Sequence, residues 1–258
     1  MNATTHRPAA DAVDLRGRTA LVTGGSSGIG LACVRRLARA GATVTVIARG
    51  AAAKQIADEV GGRAYQADLS DPDVLADLDV RADIVVNNAG IQHVTPVHEF
   101  PPEMFTAMQR LMVEAPFRLI RLSLPNMYTQ GYGRIINVSS AHGLRASPYK
   151  VGYVTAKHAM EGLSKVVALE GGPFGVTSNC INPGYVRTPL VEKQIADQAR
   201  AHGIAEDEVL SRVLLADNPV KRMAEPEEVA ELAVYLCSPD ASYITGAALS
   251  IDGGWTAS

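Results

Sequence analysis

Tyr153 and Lys157 stand four residues apart, so a helix through them puts both on one face. A phenol holds its proton to about pH 10 and is a poor base near neutrality. A lysine ammonium beside it favours the phenolate and lowers the barrier to proton transfer. Ser140 lies thirteen residues before the tyrosine, at the end of the run "RIINVS" and its following serine. Its hydroxyl can hydrogen-bond an oxygen that gains or loses charge. Together the three types suit proton transfer at a substrate oxygen.

A second set of polar residues gathers around these positions. His142 and Lys150 bracket the loop between Ser140 and Tyr153, while Gln92, Gln194 and Trp255 lie further off in the chain. Taken singly, a loop histidine is usually structural and a lysine usually solvated. Taken together, a cation, an imidazole and two amides suit a small anionic substrate, because a desolvated carboxylate needs several donors.

"LVTGGSSGIG" sets Gly24, Gly28 and Gly30 directly after an apolar run and at the start of a helical pattern. Glycines allow a tight turn and a close backbone approach to a phosphate, and the free N–H groups of a helix start favour an anion. Such a cluster alone is also consistent with nothing more than a tight strand-to-helix turn. About twenty residues on, where an acid would grip a ribose 2′-hydroxyl, stands Ala48. Arg49 follows it, placed either to meet a 2′-phosphate or to remain solvated.

The elements that must position these groups alternate in type. "TALVT" (19–23), "TVTVIA" (43–48), "DIVVN" (83–87), "RIINVS" (134–139), "VTSNCI" (176–181) and "ALSID" (248–252) are uninterrupted enough to be strands covered on both faces. Helical patterns fill 30–40, 51–60, 102–130, 150–170 and 225–237, the last opening on Glu225 and Pro226. This alternation predicts βαβ units and a doubly wound parallel sheet in a single domain over 15–258. Residues 185–224, polar and irregular, interrupt it where a lid would sit, beyond the carboxyl end of a strand. With 47% apolar and 20% charged residues and a net charge of −3, the chain can bury a core and gives no reason to expect nucleic acid or an anionic membrane. No run approaches a membrane span, and residues 1–14 read as a short flexible arm without the apolar region of a signal peptide. Cys33, Cys180 and Cys237 lack metal or redox spacing and read as buried thiols in a reducing compartment, so a cytoplasmic protein is expected.

"NNAG" (87–90), the serine, Y-x-x-x-K and the glycine turn together resemble the short-chain dehydrogenase/reductase family, from about Gly17 to the C-terminus. The resemblance implies a Rossmann-type sheet with helices on both faces, a lid insertion after the sixth strand, and a nicotinamide dinucleotide cofactor. It assigns acid–base work to Tyr153, support to Ser140, and contact with the nicotinamide ribose to Lys157. It assigns the cofactor to Gly24, Ser26, Ser27, Gly28, Ile29, Gly30, Asp68, Leu69, Asn88, Ala89, Gly90, Pro183, Gly184, Val186 and Thr188, with Tyr153, Lys157 and Arg49. "NNAGIQHV", "SSAHGL", "RTPLVEKQI" and "DGGWTAS" are similar to the D-3-hydroxybutyrate dehydrogenase branch of that family. There Gln92, His142, Lys150 and Gln194 are implied to bind the substrate carboxylate with Ser140 and Tyr153, and Trp255 to help close the site. That branch implies reversible oxidation of (R)-3-hydroxybutyrate, NAD rather than NADP against the counter-hint of Arg49, and a homotetramer.

Three positions depart from the pattern. Tyr185 stands where a tryptophan is common, "ARG" at 48–50 reopens the choice of cofactor, and Met112 replaces the helix asparagine. A thioether neither donates nor strongly accepts a hydrogen bond. Pro116, four residues on, has no N–H for the Met112 carbonyl, so that carbonyl is free to hold a relay water for Lys157, or the proline only kinks the helix. A 3-oxoacyl-thioester or sugar reductase of the same fold, and a non-catalytic scaffold protein, are the competing expectations.

Overall fold

The computed structural model describes residues 13–75, 81–192 and 194–257. Most of the expected N-terminal arm, residues 1–12, lies outside them, as does Lys193 of the expected lid. β1 (Thr19–Thr23), β2 (Thr43–Ala48), β3 (Arg63–Gln66), β4 (Ile84–Asn87), β5 (Gly133–Val138), β6 (Val176–Pro183) and β7 (Ala248–Ile251) form one sheet in the order β3-β2-β1-β4-β5-β6-β7. Every pairing is parallel. The helices are α1 (Gly28–Arg39), α2 (Ala52–Glu59), α3 (Pro102–Gln109), α4 (Ala115–Gln130), α5 (Val151–Gly171), α6 (Pro189–Glu192), α7 (Ile195–His202), α8 (Glu206–Val209) and α9 (Pro226–Cys237).

Both faces of the sheet are covered, which is why the strands are apolar without alternation. Ala20, Val22 and Ile136 pack with Leu37 of α1, Ile56 of α2 and Val234 of α9. Leu21 and Ile135, their neighbours in sequence, point the other way onto Met108, Leu119 and Ala156 of α3, α4 and α5. β3 was not among the expected strands. It is an edge strand whose four residues "RAYQ" are exposed or half-buried, so it carries no apolar run to read.

The stretch 102–130 is not one regular helix. Between α3 and α4 lies a π-helical turn, Arg110–Glu114, in which the Ala115 N–H reaches back five residues to the Arg110 carbonyl. The ordinary donor for the Leu111 carbonyl is thereby diverted, and Pro116 offers none to Met112.

The register brings the carboxyl ends of four strands to one edge: Val22 pairs with Val86, Val86 with Ile136, and Val138 with Ile181. The strand order reverses between β1 and β4, which opens a crevice at that edge. Residues 185–224 emerge from the same edge after β6. Their two ends are pinned by a bridge between Val186 and Ala224, with N–H donation from Ala224 to the Tyr185 carbonyl and from Arg187 to the Ala224 carbonyl, each at 2.9 Å. The segment is helical rather than irregular and carries its own small apolar cluster of Ala199, Val209 and Leu214 against Tyr185, Val191 and Ile195.

Candidate active site

Three connected chambers follow the carboxyl edge of the sheet. The first, of about 330 Å³, is walled by Gly24, Ser26, Ser27, Gly28 and Ile29 from the first turn, Arg49 after β2, Leu69 after β3, Asn88, Ala89 and Gly90 after β4, and Thr188. Gly28 has a φ of +53°. A Cβ on Gly30 would collide with the Gly24 carbonyl oxygen and the Asn88 amide, so the helix approaches the strand end only because no side chain intervenes. Thr23 fixes the opposite wall, its hydroxyl accepting from the Asn88 and Ala89 N–H groups at 2.9 and 3.0 Å. A long cleft against a glycine turn and the start of α1 fits a dinucleotide. Asp68 stands between the lining residues Ala67 and Leu69, its Oδ1 accepting from the backbone and hydroxyl of Ser70 at 3.0 and 2.7 Å.

The second chamber, of about 80 Å³, shares Ile29, Asn88 and Gly90 with the first and adds Ser140, Tyr153, Lys157, Pro183, Gly184 and Val186. Lys157 donates to the Val138 carbonyl at 2.7 Å and lies 5.4 Å from the centre of the Tyr153 ring. Burial draws Lys157 down to about 8, opposed by Cys180 and Glu161. Burial pushes the Tyr153 phenol up to about 12, with the Ser140 hydroxyl acting the other way. Desolvation thus outweighs the Ser140 hydroxyl, and the lysine does not bring the phenol down as the spacing led one to expect. Beneath them, Asn182 Nδ2 donates to both the Ser140 carbonyl at 2.9 Å and Glu161 Oε1 at 2.6 Å, which ties the ends of β5 and β6 to α5. Met112 is fully buried and packs by its sulfur against Gly90, so its side chain fills space where a hydrogen-bonding amide was the pattern.

The third chamber is a pocket of about 50 Å³ that joins the second at Ser140, Tyr153 and Gly184. All seven residues expected to hold substrate line it: Gln92, Ser140, His142, Lys150, Tyr153, Gln194 and Trp255. His142 is held between Ser140 Oγ at 3.4 Å and Ser147 Oγ at 3.1 Å, with the Trp255 ring 5.2 Å away. Burial, and then the Lys150 charge, bring it down to about 3, so the imidazole is neutral. Gln194 donates one amide hydrogen to the Leu190 carbonyl at 2.8 Å and keeps the other. Lys150, 4% exposed, donates to the Tyr185 hydroxyl at 3.3 Å and pairs with no carboxylate among the described residues. Burial draws its ammonium down to about 8. Both amide atoms of Gln92 are buried without a partner. Asn218 also lines the pocket with its Oδ1 unpartnered, as do Leu190 and Val191. Sequence reading missed these because they meet the site only through the folding back of the insertion.

Comparison with known proteins agrees with this geometry. The family model described as enoyl-(acyl carrier protein) reductase matches residues 24–256. D-beta-hydroxybutyrate dehydrogenase of Rhizobium meliloti (strain 1021) is 47% identical over 255 residues, covering 93% of this chain and 99% of that protein. The protein of the same name from Cupriavidus necator is 43% identical over 257 residues, covering 94% and 99%. The solved structure of L-sorbose reductase from Gluconobacter frateurii, complexed with NADPH and L-sorbose, superposes with a TM-score of 0.84 at 32% identity, covering 96% of this chain and 99% of that one. The glycine turn, Asn88 and the Ser140, Tyr153 and Lys157 set stand where such a sheet presents them, and the chain belongs to the short-chain dehydrogenase/reductase family of oxidoreductases.

Proposed function

We propose that the protein interconverts (R)-3-hydroxybutyrate and acetoacetate. One observation carries the reading: a buried lysine ammonium without a counter-ion shares a small pocket with a buried amide that has no partner. Burying a cation unpaired is costly, and a carboxylate satisfies both groups at once. The similarity to the two hydroxybutyrate dehydrogenases supports the same substrate.

The nicotinamide supplies the hydride acceptor or donor when bound. The residues of the chain do the rest. Gln92, Lys150 and Gln194 hold the carboxylate, and neutral His142 turns its one ring N–H to it in exchange for the bond to Ser147. Trp255 covers the pocket. The substrate oxygen is thereby left facing Ser140 and Tyr153. In reduction the Tyr153 phenol, which holds its proton strongly, gives it to the carbonyl oxygen while the Ser140 hydroxyl supports the developing charge. In oxidation the phenolate takes the hydroxyl proton, and the Lys157 ammonium favours that anion. In this reading the Met112 carbonyl, to which Pro116 offers no N–H, holds the water that returns protons to Lys157.

The proposed cofactor is NAD; Arg49 at the cleft wall makes NADP the comparison. The reading includes a cytoplasmic homotetramer, in keeping with three free buried cysteines, and sedimentation would check the assembly. The deciding test is nicotinamide absorbance with the (R) and (S) acids, each with NAD and NADP. Turnover of the (R) acid is expected. Its absence with both cofactors, or preference for an uncharged polyol or an acyl thioester, would overturn the assignment.

A further inference from the structure

Tyr149 is the only non-glycine residue among those described with a positive φ, at 68°. A bulky L side chain in the left-handed region is strained, and such a conformation persists only where its surroundings over-determine it. Two contacts do so here, on either side of its link to Lys150. The Tyr149 carbonyl accepts from the Thr95 N–H at 3.0 Å, and Thr95 belongs to the loop that carries Gln92. Tyr149 directly precedes Lys150, which caps the start of α5 and turns inward. Its ring meets that of His202 edge-on, with centroids 5.8 Å apart and planes at 87°. His202 closes α7, and Gln194 caps the other end of that helix.

One strained residue thus touches the segments that carry Gln92, Lys150 and Gln194. Packing alone does not ask for a left-handed tyrosine at this place, since the ring is only half-buried. The conformation instead sends two adjacent side chains to different tasks, one into the pocket and one onto the insertion. We propose that Tyr149 is the positioning residue of the anion pocket: its backbone aims Lys150, and its ring latches α7 over the site. The inference rests on the reading that Gln92, Lys150 and Gln194 hold a carboxylate.

The test compares Tyr149→Gly, which accepts the backbone but removes the ring, with Tyr149→Phe, which keeps the ring. A third variant, His202→Ala, removes the partner on α7. Amide hydrogen exchange over 195–203 is read in the protein without substrate, and kcat and KM for the hydroxy acid are read separately. In Tyr149→Gly, exchange in α7 is expected to quicken roughly tenfold and KM to rise by a similar factor, with kcat within about threefold and Tm unchanged or higher. Tyr149→Phe is expected to match the parent, and His202→Ala to reproduce the loosened helix and raised KM without a gain in Tm. Unchanged exchange in Tyr149→Gly overturns the latch, whatever the substrate proves to be. A fall in Tm in Tyr149→Gly, with kcat and KM both spoiled, makes the residue mere packing and also overturns it. If the parent does not turn over the acid, the substrate reading has failed, and the exchange measurement still decides the latch.

Discussion

Replacing Lys150 with methionine keeps most of the side chain's reach and removes its charge. Burial draws the ammonium from 10.5 to about 8, and at about 1.4 kcal/mol per pH unit this amounts to about 3 kcal/mol by which the fold disfavours the charged form. At pH 7 the amine is charged in the folded and the unfolded chain, so all of that opposes folding. The penalty is relieved only as pH rises from about 8 towards 10.5. The variant is therefore expected to be more stable at pH 7, by at most about 3 kcal/mol and so by several degrees in Tm, less what the bond to Tyr185 contributes. The same change removes the cation that faces the carboxylate in the proposed function. Losing such a desolvated contact costs roughly 2–4 kcal/mol, or about 30- to 1000-fold in kcat/KM. Initial rates with the hydroxy acid and with its methyl ester, beside thermal melts at about pH 7 and pH 9.5, read both effects. The acid is expected to lose far more than the ester, and the stability gain to shrink at the higher pH. Equal losses for acid and ester, or activity and stability falling together, would refute the reasoning.

Tyr153→Phe is expected to lower kcat by about 10²–10⁴ while nucleotide affinity, measured by fluorescence, stays within about twofold. Binding of a saturated acid of the same length should hold steady up to about pH 8 and weaken about tenfold per unit above it, since Lys150 must carry its proton. The same titration should show no step near about pH 6.5, because His142 is already neutral there; a step would contradict the buried imidazole. Pro116→Ala returns an N–H to the helix and is expected to lower turnover and move its pH profile, whereas an unchanged profile removes the Met112 relay. Gly30→Ala places a Cβ against the Gly24 carbonyl and Asn88, and should weaken nucleotide binding and lower Tm together in calorimetry and melting.

The acid–base group was legible because its signal is local: a four-residue spacing on one helix and a serine at a strand end survive any detail of packing. The glycine turn was legible for the same reason. β3 was not, because an edge strand of exposed residues has no apolar pattern to show. The helices of the insertion were missed because they are short, eight residues in α7 and four each in α6 and α8, the last two barely one helical turn. Pro116 announced an irregular helix but not its kind, since proline is compatible with a kink as well as with a π turn. Tyr149 gave no sign at all: left-handed backbone is read from glycine, and here a tyrosine adopts it because two tertiary contacts hold it there.

The bridge between Val186 and Ala224 sets the two ends of the insertion side by side. Ser140, Tyr153 and Lys157 lie outside that closed loop, whereas Tyr185 borders it and Gln194 and Asn218 fall inside. In the proposed reading the work is shared between a chassis, which carries the reacting group with Gln92, His142, Lys150 and Trp255, and a cassette, the insertion, which adds Gln194 and Asn218 to the pocket wall. For a loop already closed at its base, doubling the length costs only about 0.6 kcal/mol of closure entropy. Selection can lengthen, shorten or exchange the cassette with little effect on the sheet beneath it, reshaping one wall of the pocket while the residues of the chassis keep theirs.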